Sequence, residues 1–251
     1  MSKLRLENKV AVITGGNSGI GLATAKLFRD QGATVVITAR SPETLARAQA
    51  EYGEVFDVIQ ADVSSEEDLQ RLADEVQAKH GGVDVLYANA GIAHFAPLSE
   101  VTSDFFDKQF NTNVKGLLFT VQKFLPILNQ GASVLLTTSG VNTKGMPGAS
   151  VYAATKAAVR SIARTLSAEL VGRAIRVNAI SPGPVETPIF SKMNISEEEL
   201  NGMAAQIESG TPVGRFGQPE EIAKAALFLA SDDSSFVLGA ELVADGGFSQ
   251  I

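Results

Sequence analysis

Residues 14–21 read TGGNSGIG, set between the apolar run VAVI at 10–13 and the helical pattern LATAKLF at 22–28. Four glycines where a strand hands over to a helix let backbone N–H groups approach an anion at the helix N-terminus. The glycines that set the spacing are Gly15, Gly19 and Gly21, giving G-x-x-x-G-x-G rather than G-x-G-x-x-G. Taken alone, the turn therefore leaves open a tight strand-to-helix connection that binds nothing. If it does cradle a pyrophosphate, the residues in reach are Gly15, Asn17, Ser18, Gly19, Ile20 and Gly21.

Further short β-branched runs extend the pattern along the chain. They are KVAVIT at 9–14, ATVVIT at 33–38, VFDVIQA at 55–61, VDVLYA at 83–88, SVLLTTS at 133–139, IRVNAIS at 175–181 and ELVAD at 241–245. Runs apolar on both faces, separated by stretches long enough for a helical crossover, predict an α/β fold. It is a doubly wound, parallel seven-stranded sheet with helices on both faces, a Rossmann-like single domain over residues 1–251. Helix starts are marked by Pro42 after Ser41, by the run SSEE at 64–67 and by PEE at 219–221. The loose stretch 183–218, rich in Gly, Pro, Ser and Glu with a helical pattern at SEEELNGMAAQI (196–207), is read as a substrate loop.

Composition narrows the function classes. A net charge of −7 with no basic stripe argues against nucleic acid as a partner. No apolar run reaches the length of a membrane span, and MSKLRLENKV has no signal-peptide core, so the expected address is cytoplasmic. With no cysteine, thiolate chemistry and cysteine metal sites are out, and neither His80 nor His94 sits in a metal-binding motif, so no metal is expected. His80 precedes two glycines and reads as a helix end, whereas His94 in GIAHFAPL could touch substrate.

The cofactor reading continues down the sheet. The second strand ends at Ala39 and Arg40, where this fold reads the adenosine ribose. A carboxylate there would favour NAD. Ala39 removes that repulsion and Arg40 offers a phosphate-binding fork, so NADP (NADPH) is expected and NAD is less favoured, unless Arg40 is simply a solvated residue at a helix start. Asp62 could accept from the adenine amino group or cap the next helix, and Asn89, Ala90 and Gly91 end the fourth strand beside the cleft.

Tyr152 and Lys156, in SVYAATKAAVRSIA, are four residues apart and so share a helix face. A cation beside a phenol favours the phenolate, drawing the tyrosine toward the range where it can trade protons. Ser139 ends the fifth strand thirteen residues before Tyr152, placed to bond a substrate oxygen, and Asn113 lies in the preceding helix.

Six ordered motifs, TGGNSGIG, ANAG, NTNVKG, TTSG, YAATK and SPGPVETP, resemble the short-chain dehydrogenase/reductase family over essentially the whole chain. The resemblance implies that Tyr152 is the general acid/base and that Lys156 lowers its pKa and holds the nicotinamide ribose. It implies that Ser139 orients the carbonyl and that Asn113 anchors a proton-relay water. Pro182, Gly183, Val185 and Thr187 resemble the segment holding the nicotinamide, with Asp62 and Val63 beside adenine. One departure is Ala88, where the family's N-N-A-G has its first Asn.

The substrate side offers Val141, Met146, Ile189, Phe190 and Met193, with Ile195 and Met203 further along the loop. Either they form an apolar pocket or they are core packing. The chain resembles the NADP-dependent secondary alcohol dehydrogenases, or carbonyl reductases, of the family, so the expected partner is a ketone or secondary alcohol with bulky apolar substituents. The enzymatic alternative is a β-ketoacyl carrier-protein reductase, against which FLPILNQGASV offers no basic docking residue, although Arg160, Arg164 and Arg173 follow on the next helix. A non-catalytic dinucleotide-binding redox sensor is the second alternative. Helices around 111–128 and 152–170 are apolar on more than one face and so are buried on two sides, inside the monomer or between subunits. The resemblance, to a family whose members commonly pair these helices between subunits, implies a homotetramer, with the C-terminal ELVADGGFSQI packing against another subunit too.

Overall fold

The structure is a computed structural model that describes residues 4–188, 202 and 205–251. Seven parallel strands form one sheet in the order β3-β2-β1-β4-β5-β6-β7. They are β1 (Val10–Ile13), β2 (Thr34–Ala39), β3 (Asp57–Gln60), β4 (Val83–Ala88), β5 (Leu128–Thr137), β6 (Arg176–Pro182) and β7 (Glu241–Ala244). The helices that concern the site are α1 (Gly19–Asp30), α2 (Pro42–Tyr52), α3 (Glu66–His80), α4 (Ser103–Phe110), α5 (Leu117–Phe124), α6 (Ser150–Leu170) and α7 (Pro219–Ala230).

Alternation along the strands divides the core in two, because successive side chains leave opposite faces. Val12, Val36, Leu86 and Leu136 pack with Leu72 and Val76 of α3, Val121 and Phe124 of α5, and Val159 and Ala163 of α6. Ala11, Ile13, Ile37, Val85 and Leu135 pack on the other face with Phe28 of α1 and Ile222, Ala226 and Leu227 of α7. Both faces are thus covered, which is why the central strands read as nearly continuous apolar runs. The edge strands β3 and β7 are half-buried throughout.

Six of the seven strands lie within about two residues of the sequence expectation, within the usual spread of element boundaries. The fifth starts at Leu128 instead of 133. Its early part, with Asn129, Gln130 and Gly131, carries no apolar alternation, and the pairing with β4 shifts register between Val83↔Leu128 and Val85↔Ser133. The helix caps follow the sequence signals: Ser41 and Ser65 accept from Thr44 N and Asp68 N, and Pro219 opens α7. His80 ends α3, with Gly81 at φ 78°, and its Nε2 lies 2.9 Å from Asp57 Oδ2. No helix among the described residues is long and apolar enough to cross a membrane.

Strand order reverses between β1 and β4, which are hydrogen-bonded neighbours. In open parallel sheets this switch point opens a crevice at the carboxyl ends of the strands, and the glycine-rich turn lies there.

Candidate active site

The turn is held by threonines at the ends of β1 and β2. Thr14 Oγ1 accepts from Asn89 N at 3.0 Å and Ala90 N at 3.1 Å, and Thr38 Oγ1 accepts from Gly15 N at 3.0 Å. Asn89 Nδ2 donates back to the Thr14 carbonyl at 3.1 Å. Gly15 and Gly19 have φ of 64° and 52°, and a Cβ at Gly21 would sit 2.5 Å from the Gly15 carbonyl. All three positions therefore require glycine. Ser18, the N-cap of α1, makes no side-chain cap, whereas α2, α3 and α4 are capped by Ser41, Ser65 and Thr102. The donors of the first turn of α1, beside half-buried Asn17, Gly19 and Ile20, are left for an anionic ligand, and a pyrophosphate fits them.

Ala39 is buried at 1% exposure, and Arg40 is exposed with no ion-pair partner among the described residues. Asp62 does not cap α3; Ser65 does. Asp62 Oδ1 instead takes Ser64 N at 2.9 Å and Ser64 Oγ at 2.7 Å, while Asp68 Oδ2 holds Asp62 N at 2.9 Å. Val63 is buried and its carbonyl faces Gly116, where a Cβ would come within 2.6 Å.

Asn113 sits in a π-helical turn, Asn111–Gly116, between α4 and α5. Its side chain clamps Ile92, donating to the carbonyl and accepting from the N–H, both at 2.8 Å, and donates to Thr155 Oγ1 at 3.1 Å. Thr155 Oγ1 in turn donates to the Tyr152 carbonyl at 2.7 Å. Both Nδ2 hydrogens are thus committed inside the protein. A relay water anchored on this side chain would have only the second Oδ1 lone pair to bind.

Ser139 opens a 3₁₀ turn, Gly140–Asn142, and its hydroxyl faces the Tyr152 phenol, where it favours the ionised form. Lys156 is buried, with Nζ donating to the Thr137 carbonyl at 2.9 Å and lying 5.7 Å from the Tyr152 ring centroid. A Cβ on Gly91 would lie 3.2 Å from Asn113 Oδ1 and 3.6 Å from Lys156 Nζ, so these groups converge on the end of β4. The electrostatics differ from the sequence expectation. Burial raises the Tyr152 pKa above its ordinary value, with the Ser139 hydroxyl acting the other way. Burial also pushes Lys156 down to about 8. Desolvation disfavours both charged forms, and it outweighs the attraction between ammonium and phenolate that the four-residue spacing suggested.

Pro182 ends β6, and Gly183 N donates to the Ala244 carbonyl at 3.1 Å. Val185 is buried in a bridge to Gly217, and Thr187 faces Gly19, where a Cβ would lie 3.2 Å from Thr187 Cγ2. This brings the 182–187 segment and the glycine turn to one cleft. Val141 is buried and Met146 half-buried after Ser139. Ile189, Phe190 and Met193, with Ile195 and Met203, lie outside the described residues. Ala88 is buried in the apolar core, and Thr14 and Asn113 hold residues 89–92 where the absent asparagine leaves no side-chain bond.

Two neighbours escaped the sequence reading. Phe95 packs edge-on against Tyr152 with centroids 5.6 Å apart, and Gln109 Oε1 accepts from His94 N at 3.1 Å. His94 itself packs near Phe105, its pKa lowered first by burial and then by Lys108. Neither Phe95 nor Gln109 belongs to a motif, and the only available signal was their nearness in sequence to Gly91 and Asn113.

Residues 15–249 match the family described as enoyl-(acyl carrier protein) reductase. The chain is 43% identical over 249 residues to oxidoreductase asL5 of Sarocladium schorii, covering 98% of each chain. It is 40% identical to the 3-oxoacyl-acyl-carrier-protein reductase FabG of Thermotoga maritima, covering 97% of this chain and 99% of that one. It is 35% identical to an NADP-dependent (R)-specific alcohol dehydrogenase of Lentilactobacillus kefiri, covering 98% of each. Among solved structures, a short-chain dehydrogenase/reductase from Brucella melitensis titled glucose/ribitol dehydrogenase superposes with a TM-score of 0.91 at 34% identity, covering 99% of this chain and all of that one.

Proposed function

The chain belongs to the short-chain dehydrogenase/reductase family of oxidoreductases, and we propose that within it this protein transfers hydride between NADP(H) and a ketone or secondary alcohol with bulky apolar substituents. The observation that carries the reading is the convergence of three groups: the Ser139 hydroxyl acting on the Tyr152 phenol, and buried Lys156 one turn along the same helix, its Nζ 5.7 Å from the Tyr152 ring centroid. When bound, the nicotinamide supplies the hydride. The Ser139 hydroxyl then orients the carbonyl oxygen, and Tyr152 gives its proton to the alkoxide that develops there. Burial keeps Tyr152 protonated, the form that ketone reduction consumes. The turn at 15–21 and the N-terminus of α1 would hold the pyrophosphate, Asp62 and Val63 would lie at adenine, and Asn89, Ala90, Gly91 and the 182–187 segment would line the path to the nicotinamide.

Apolar substituents find Val141, half-buried Met146 and the Phe95 ring beside Tyr152. The carrier-protein reductase reading is favoured by the likeness to the Thermotoga maritima protein. Against it, two of its three candidate docking cations are engaged within the chain. Arg160 pairs with Glu241 and donates to the Gly239 carbonyl, and Arg173 donates to the carbonyls of Leu125 and Leu128. Arg164 remains exposed. A redox sensor without turnover would leave NADPH unconsumed with every ketone.

The preference for NADP rests on the missing carboxylate at buried Ala39 and on exposed Arg40, which has no ion-pair partner among the described residues. Parallel kcat/KM measurements with NADPH and NADH, using aryl ketones and acetone, test cofactor and substrate together. NADPH and the larger ketones are expected to win. Ala39→Asp with Arg40→Ala is expected to lower NADPH use by at least about tenfold, about 1.4 kcal/mol, and to improve NADH use. A wild type that prefers NADH, or a ratio unmoved by the double substitution, would contradict the cofactor assignment.

A further inference from the structure

Glu241, the first residue of β7, is remote in sequence from every motif, yet its carboxylate joins three parts of the site. Oε1 receives Asn142 Nδ2 at 2.6 Å and lies 2.6 Å from Thr138 Oγ1. Oε2 lies 3.3 Å from Arg160 Nε, and the two side chains are only 12% and 16% exposed. Thr138 precedes Ser139, and Asn142 N donates to the Ser139 carbonyl at 2.9 Å. One oxygen therefore meets both ends of the five-residue stretch Thr138–Asn142 that presents the Ser139 hydroxyl, with Thr138 Oγ1 also 2.9 Å from the Ile180 carbonyl. Arg160 stands one helical turn beyond Lys156 and two beyond Tyr152, so all three fall on one stripe of α6. Its guanidinium is fixed a second time through the Gly239 carbonyl at 2.9 Å.

Ser139 and Tyr152 come from different elements, a turn after β5 and the first turn of α6, so contacts between those elements set their separation. Ala149 gives α6 no side-chain cap, and much of the connecting stretch 143–149 is exposed or half-buried. We propose that Glu241 is a positioning residue for this pair. Its carboxylate fixes the Ser139 turn against the helix that carries Tyr152 and Lys156, and so holds the Ser139 hydroxyl in one position relative to the Tyr152 phenol. A shielded carboxylate suits the task because each oxygen serves a different element, whereas a neutral side chain would leave Arg160 without its counter-charge. The inference rests on the reading of Ser139 and Tyr152 as the proton-handling pair.

The test uses Glu241→Leu, Glu241→Gln and Asn142→Ala, each made in the wild type and in Ser139→Ala. Single-turnover rates with NADPH and an aryl ketone keep the slow background readable, and NADPH affinity and melting temperature are measured alongside. Glu241→Leu is expected to slow turnover by about tenfold to a hundredfold, the range in which misplacement of a reacting group acts. NADPH affinity stays within about twofold, as for sites that do not share partners. Glu241→Gln is expected to recover part of the rate, because its amide oxygen can still accept from Thr138 and Asn142. In the Ser139→Ala background the same substitutions are expected to add less than about twofold, because their effect passes through Ser139. Full rates in Glu241→Leu and Asn142→Ala, or losses that multiply in the Ser139→Ala background, would overturn the proposal. If Glu241→Leu does not fold, the Gln and Asn142→Ala variants carry the same comparison. Full turnover in Ser139→Ala would instead defeat the proton-handling reading on which the proposal stands.

Discussion

At Lys156, function and stability pull in opposite directions. The side chain is buried, a backbone carbonyl is its one hydrogen-bond acceptor among the described residues, and its pKa falls to about 8 against an ordinary 10.5. Because the folded pKa lies below the unfolded one, protonation opposes folding. That penalty is complete below about pH 8 and fades as the pH rises toward 10.5. Lys156→Met is therefore expected to abolish turnover yet raise stability at pH 7 by up to about 3 kcal/mol, a gain that shrinks as denaturant melts are repeated at increasing pH. That Tyr152 and Lys156 share one face of α6 was legible in the sequence because it depends on a local spacing. Their protonation was not, because desolvation depends on what the fold packs around them, which includes Phe95 from a segment nearly sixty residues earlier.

Among the elements, the glycine turn and α1 were readable because a strand-to-helix turn around an anion constrains consecutive residues. The π-helical turn Asn111–Gly116 was not, since it depends on a contact across the fold: Gly116 lies against the Val63 carbonyl, and Asn113 reaches back to Ile92. Gly116→Ala puts a Cβ 2.6 Å from that carbonyl, a backbone atom that cannot turn aside. The expected cost is about 1–3 kcal/mol, measured by denaturant unfolding, with a fall in turnover as the Asn113 clamp shifts. Unchanged stability would show that the turn is less tightly packed than the geometry indicates. The start of β5 was missed for a related reason: Asn129, Gln130 and Gly131 fall where the register with β4 shifts and leave no alternating pattern, and Asn129 is held by its side chain to Asp84 Oδ1 at 3.2 Å.

Over the whole molecule, the sheet order puts the glycine turn, the end of β4, the Ser139 turn and the end of β6 along one edge, which explains why residues spread from 15 to 187 can serve one cleft. Apolar side chains left outside the two cores include Phe106, Leu118, Val171, fully exposed Phe236 and the C-terminal Ile251. Exposed apolar surface of this kind, two of its residues on α4 and α5, suits self-association, and the assembly we propose is a homotetramer. Light scattering is expected to give four times the chain mass of 26.3 kDa, with Phe236→Ser and Leu118→Lys together lowering it; a monomeric wild type would remove the proposal. Tyr152 is the proposed proton donor of an NADPH-dependent ketone reduction. The direct measurement is NADPH consumption with an aryl ketone by the wild type and by Tyr152→Phe, with NADPH binding titrated by fluorescence in both. The predicted result is robust wild-type turnover, a loss of at least about 10²- to 10⁴-fold in Tyr152→Phe, and NADPH binding unchanged. Turnover by Tyr152→Phe within a few-fold of wild type, or no NADPH consumption by the wild type with any ketone, would contradict it.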